Sequence, residues 1–245
     1  MLMKKISFYL TKTLYDHANV IFREKSDVLG LLLNTIPDVF VNNENDSGLG
    51  KCEIIVDKMS RIIFTLINDG KVFKKFSFNF PFTLKENDED EDDEDAAYRN
   101  KWVIFDLEGE RITNQIISIL KILFEDDAFV DRIHSDIEPL DFYEQILQAI
   151  KEVDLDVTIS DNYIWRLVRY LYLFEPGYLR YDYDDTESRR NAINHPLHHL
   201  DFYFSSNVTL KLGIADDDKQ YRNWKLDSFE TLLNNNKPCY YLKLT

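Results

Sequence analysis

The chain is short of cysteine, glycine and basic residues, and it has no long apolar run. Each shortage closes a class of function. Only Cys52 and Cys239 occur, too few and too far apart for a thiolate zinc site or a disulfide framework, and this usage suits a reducing compartment. The seven glycines build no phosphate-cradling loop and no nucleophile elbow. No stretch approaches the ~18 apolar residues of a membrane span, and MLMKKISFYLTKTLYDHANVIF at the start lacks the apolar heart of a signal peptide. The expectation is a soluble, cytoplasmic protein that does not contact membranes. Lys and Arg number 29 against 44 Asp and Glu, a net charge of −15, so contact with nucleic acid is expected to be indirect at most.

What the chain does have is unevenly spread. ENDEDEDDED, residues 86–95, carries nine acids and no base, which leaves a net −6 for the other 235 residues. Adjacent like charges repel and hold water, so this run reads as a solvated loop inserted in a sheet. Asp88, Glu89, Asp90, Glu91, Asp92 and Asp93 are its candidate contacts for a protein partner with a basic surface.

With 44% apolar residues the chain can bury a full core, and it reads as one α+β domain over 1–245. A β-rich part (1–107), a helical part (108–175) and a second β-rich part (176–245) follow one another. DVLGLLL at 27–33 suggests a short helix capped by Ser26 and ending near Pro37. EIIVD, RIIFTLI and KVFKKFSFNF predict an N-terminal antiparallel meander over 53–80, its second turn set by Asn68-Asp69-Gly70, and WVIFDL (102–107) reads as a further strand. Ile112, Ile116, Ile119, Leu120 and Leu123 mark a helix from about Glu110. A second opens after Pro139 with Asp141 and Glu144. A third runs from Ser160 to about Phe174, apolar around most of its circumference and so expected at the centre of the packing. Arg166 and Arg169 share one edge of it, where carboxylate partners are the expectation. The last part predicts an antiparallel sheet from GYLRYDYDD, HHLDFYFSS and NVTLKLGI, a short helix from Asp227 to about Leu233, and a closing strand PCYYLKL.

HPLHHLDFYF, residues 195–204, holds three of the five histidines. Strand alternation puts His198, Leu200, Phe202 and Phe204 on a core face and His199, Asp201, Tyr203 and Ser205 on a polar one. Matching apolar to apolar against the next strand sets Phe204 opposite Val208, Phe202 opposite Leu210 and Leu200 opposite Leu212. A three-residue loop, Ser205-Ser206-Asn207, then joins them. That register places Asp201 opposite Lys211, an exposed cross-strand pair worth under ~1 kcal/mol. His195 and His199 would lie about 13 Å apart in an extended segment, too far to share a metal ion unless the chain turns at Pro196, and no metal or cofactor is expected. If the preceding strand lies alongside, Arg180, Asp182, His199, Asp201, Tyr203 and Lys211 share one surface. His195, His199, Asp201, Tyr203 and Arg180 are then the candidate catalytic residues of a metal-independent acid–base site, with Arg189 and Arg190 able to close over it. His17 and His134 stand alone and read as surface or capping residues.

YLRYDYD followed by HPLHHLDFYF, LKLGI and FETLL resembles the C-terminal pattern of an uncharacterised bacterial family in which a Tyr/Phe-Asp segment precedes an H-P-x-x-H-L motif. The matching positions are Tyr183, Asp184, His195, Pro196, His199 and Leu200, within the last third of the chain. The resemblance implies a mobile-element setting, among toxin–antitoxin or phage-defence cassettes, and brings no established activity. Two readings follow. The first is a non-enzymatic interaction component of such a system, bound to a protein partner through the acidic loop and the polar sheet face. The second is a hydrolase or ribonuclease-like toxin acting through the histidines, Asp201, Tyr203 and the arginines.

Overall fold

A computed structural model describes residues 4–56, 60–87, 102–125, 139–154, 158–184, 197–205, 208–214, 226 and 229–233. The architecture is α+β. Strands β1 (Lys4–Tyr9), β2 (Gly50–Val56), β3 (Arg61–Asn68), β4 (Lys71–Asn79), β8 (Leu179–Tyr183), β9 (His198–Ser205) and β10 (Val208–Ile214) form one antiparallel sheet in that order. A smaller sheet joins β5 (Thr83–Glu86), β6 (Trp102–Phe105) and β7 (Arg111–Ile112). The two β-rich halves of the sequence are therefore merged, because β8 pairs with β4 in the register Phe76 to Arg180 and Lys74 to Asp182.

The expected meander is present. Asp69 (φ 48°) and Gly70 (φ 73°) both take left-handed backbone at the β3–β4 turn, the requirement of a tight hairpin that follows strand twist. At the start of β2, Gly50 has φ 123° and a Cβ there would lie 2.0 Å from the Thr65 carbonyl oxygen, so no other residue fits. The acidic run departs from expectation at one end, since Glu86 belongs to β5 and pairs with Trp102. Asp88 to Asp93 lie outside the described residues, as does the closing strand PCYYLKL.

The helices are α1 (Lys12–Ala18), α2 (Lys25–Val41), α3 (Asn114–Glu125), α4 (Pro139–Val153), α5 (Asp161–Leu173) and the short α6 (Phe229–Leu233). β1 and α1 were not foreseen, although Ile6, Phe8 and Leu10 alternate as a strand should and all three are buried. α2 corrects the expected short helix. Its cap is Glu24, whose capping box with Asp27 replaces Ser26, and it runs through Pro37 to end on left-handed Asn42. Burial of Leu29, Leu32, Leu33, Ile36, Val39 and Phe40 outweighs the one backbone bond the proline removes. α3 starts four residues later than expected because Ile112 is committed to β7. α5 is amphipathic rather than central: Ile164, Leu167, Val168 and Leu171 are buried, while Trp165 and Leu173 are exposed and Arg166 pairs with Glu108 at 2.5 Å.

The main core lies between the helices and one face of the large sheet, where Phe8, Cys52, Ile54, Phe64, Leu66, Phe76 and Phe78 point. A second, smaller core on the opposite face gathers Ile55, Ile63, Leu179, Tyr181 and Leu200 around Phe229 of α6. The second core covers one face of β8 and β9.

Candidate functional site

On the helix-covered face, the apolar pattern stops at β4 and charge begins. Register places two rows across the strands. Lys74 (β4), Asp182 (β8), His199 (β9) and Gly213 (β10) form the first, and Phe76, Arg180, Asp201 and Lys211 form the second. Alternation along β8 and β9 brings Arg180, Asp182, His199 and Asp201 to one face for the same reason that it brings Leu179, Tyr181 and Leu200 to the other. Gly213 presents no side chain beside His199.

Arg180 is the hub. Its Nε donates to Asp182 Oδ2 at 2.6 Å and its Nη2 to Asp201 Oδ2 at 2.5 Å. His199 Nε2 lies 3.3 Å from the same Asp182 oxygen. Arg180, His199 and Asp201 are only 8%, 7% and 8% exposed. Burial alone would lift the Asp182 carboxyl, but the His199 hydrogen bond and the Arg180 charge outweigh it and hold Asp182 below its ordinary pKa. Burial likewise works against the Arg180 charge, but Tyr178 and the two carboxylates outweigh it and raise the guanidinium above its ordinary pKa.

Lys74 borders the group. Its Nζ donates to the carbonyls of Ala18 at 2.9 Å and Val20 at 2.6 Å, and stands 5.2 Å and 5.1 Å from the rings of Phe22 and Phe76. Burial, assisted by repulsion from Arg180, lowers its pKa to about 7. The cluster is therefore bordered by a buried amine able to change charge near neutrality.

Asp182, His199 and Asp201 each bring a ligand atom within 4.8 Å of the others, a nitrogen–oxygen–oxygen set of the kind that holds divalent ions. Arg180 already bridges both carboxylates at hydrogen-bond distance. A dication placed there would sit against a guanidinium in a poorly hydrated site, so this donor set suits the arginine better than an ion.

Of the candidate catalytic residues, the structure joins Arg180, His199 and Asp201. The Phe202–Leu210, Leu200–Leu212 and Asp201–Lys211 register is as expected, but an irregularity sets Val208 opposite Ser205 instead of Phe204, and Ser205 belongs to β9. Asp201 is buried rather than at the surface, and Arg180 Nη2 donates to its carboxylate; the Lys211 side chain lies outside the described residues. Tyr203 is in phase with His199 and Asp201 along β9. His195, Pro196, Arg189 and Arg190 lie outside the described residues. His198 is on the opposite face, its Nδ1 2.8 Å from the Tyr181 hydroxyl. Lys74 was missed, although KVFKKFSFNF puts it in phase with the buried Phe76 and Phe78, where a lysine is out of place. No family model matches the sequence, and no curated protein or solved structure is significantly similar to it.

Proposed function

We propose that the chain is a hydrolase that works by acid–base chemistry at His199, with phosphodiesters of RNA as the substrate class. The observation that carries this reading is the His199–Asp182–Arg180 contact chain on a sheet face otherwise filled with phenylalanine and isoleucine. Replacing buried ion pairs with well-packed apolar residues is often neutral or stabilising, so a fold that needed only a core has no use for these charges. Buried, mutually perturbed ionisable groups concentrate where chemistry is done.

With Nε2–H donated to Asp182, the lone pair of His199 resides on Nδ1, which takes the proton of an attacking hydroxyl or water. Asp182, held ionised, fixes the tautomer and stabilises the imidazolium that forms. Arg180 supplies the fixed positive charge against which charge develops on a phosphoryl oxygen. Cleavage of a labelled ribo-oligonucleotide between pH 5 and 9 tests this. His199→Gln should lower the rate by about 10²-fold or more and Asp182→Asn by a smaller factor. Equal cleavage by His199→Gln and the parent chain, or none by either on RNA or a chromogenic phosphodiester, removes the reading.

A second reading, an interaction component of a defence or toxin–antitoxin type system, is favoured by the nine acids of 86–95, a concentration suited to a basic protein partner. Neutralising those acids should abolish partner capture from host cells while His199→Gln leaves it intact. The reverse pattern discards this alternative.

A further inference from the structure

We propose that residues 19–24, the connection from α1 to α2, are a hinged cover that Lys74 latches over the β4 side of the Arg180–Asp182–His199–Asp201 cluster. The idea rests on the acid–base reading for its purpose, since a cluster this buried must be uncovered before a substrate can meet it. Its geometry stands independently.

Both ends of the segment are fixed. Asn19 N–H caps α1 on the Asp16 and Tyr15 carbonyls. At the other end Arg23 and Glu24 donate their backbone N–H groups to Asp27 Oδ2 at 2.7 Å and 2.9 Å. Among the described residues no backbone–backbone hydrogen bond holds 20–22. The middle is held from below by two contacts. One is Lys74 Nζ to the Val20 carbonyl, the same nitrogen also gripping Ala18 at the hinge. The other is the Phe22 ring, 5.3 Å from Phe76 and 5.7 Å from Tyr178. Tyr178 in turn leans on Arg180, and Lys74 is the cross-strand neighbour of Asp182, so these contacts border the cluster.

The outer side of the segment is already wet. Val20 and Ile21 are 51% and 64% exposed, so lifting it forfeits little of their burial. What resists lifting is the Lys74 bond to Val20 and the buried Phe22 ring with its Lys74, Phe76 and Tyr178 contacts, a local barrier smaller than unfolding the sheet. The latch uses a lysine rather than an apolar plug because its two bonds go to carbonyls that nothing apolar could satisfy.

Chemical labelling of the full chain, read by mass spectrometry, tests the cover. Phe22→Ala should let N-hydroxysuccinimide acetate acylate Lys74 at least tenfold faster than in the parent chain. Lys74→Met, which keeps the packing volume but not the bonds, should raise diethyl pyrocarbonate modification of His199 by a similar factor, with exposed His17 unchanged as the internal control. Lys74→Arg, which keeps donors, should remain slow. Hydrogen exchange of β3 amides reports global unfolding in the same samples. Labelling that does not change, or rises only in step with β3 exchange, overturns the cover. Should Phe22→Ala fail to fold, Phe22→Leu replaces it under the same criteria. Labelling that behaves as expected in a chain without hydrolytic activity removes the enzyme and leaves the cover. Activity with unchanged labelling does the opposite.

Discussion

On one face of the large sheet the described residues of β1–β4 and of β8–β9 form two halves that are built from opposite materials. From β1 to β4 it presents Phe8, Ile54, Phe64, Phe76 and Phe78, and across β8 and β9 it presents Arg180, Asp182, His199 and Asp201. The first half is stabilised by removal of apolar surface and needs only volume and shape. The second removes charge from water and depends on every member keeping its partner. A shared degree of burial therefore conceals different sensitivities. Size changes damage the phenylalanine half, and unbalanced charge damages the other.

Four substitutions sharpen that contrast, taken from the largest expected effect downward. Phe64→Ala, which opens a void beneath the stacked Phe76, should cost about 3–5 kcal/mol in urea unfolding at any pH. Arg180→Met should cost about as much at pH 7, because two carboxylates lose their shared cation. The penalty should shrink as acidification protonates them. A triple variant that also replaces Asp182 and Asp201 with leucine should recover most of the loss, and failure to recover would show that the two halves obey the same rule. Lys74→Met probes the border. The folded lysine has a pKa near 7 and the unfolded one near 10.5, so between these values the unfolded chain binds more protons and parent stability rises with pH. The penalty of the buried cation is complete below pH 7 and disappears by about pH 10.5. Relative to the methionine variant the parent chain should therefore gain stability across that window, by an amount on the order of 5 kcal/mol. Smallest is Arg166→Ala, which breaks an exposed pair with Glu108 and should move stability by no more than about 0.5 kcal/mol.

Legibility in the sequence followed the same division. The meander and the β9–β10 register were readable because apolar alternation and a Asp-Gly turn are local signals. The shared face of Arg180, Asp182, His199 and Asp201 was readable conditionally, once β8 and β9 were taken as neighbours. That the face is buried was not. Polar residues in alternation ordinarily mean solvent, and nothing within 195–204 announces that Arg180, His199 and Asp201 are buried. Pro37 misled for a similar reason, a local stop signal overruled by the apolar residues on either side. Metal chemistry was weighed between His195 and His199, whereas the donor set that forms is His199 with two aspartates, one reached only by strand pairing.

The junction of β4 with β8 also bears on how the molecule is made. Residues 80–178 separate the two strands, so this pairing closes a long chain segment and belongs to the slow part of folding. During synthesis the N-terminal meander is complete while β4 is still a bare edge, its amides and carbonyls open to any passing strand. Lys71, Lys74 and Lys75 lie along that edge, and lysines on an exposed strand are a common safeguard against edge-to-edge aggregation. Lys74 thus has one task in the nascent chain, as a guard on an unfinished sheet, and a second in the mature one, where β8 has arrived and the same amine is enclosed.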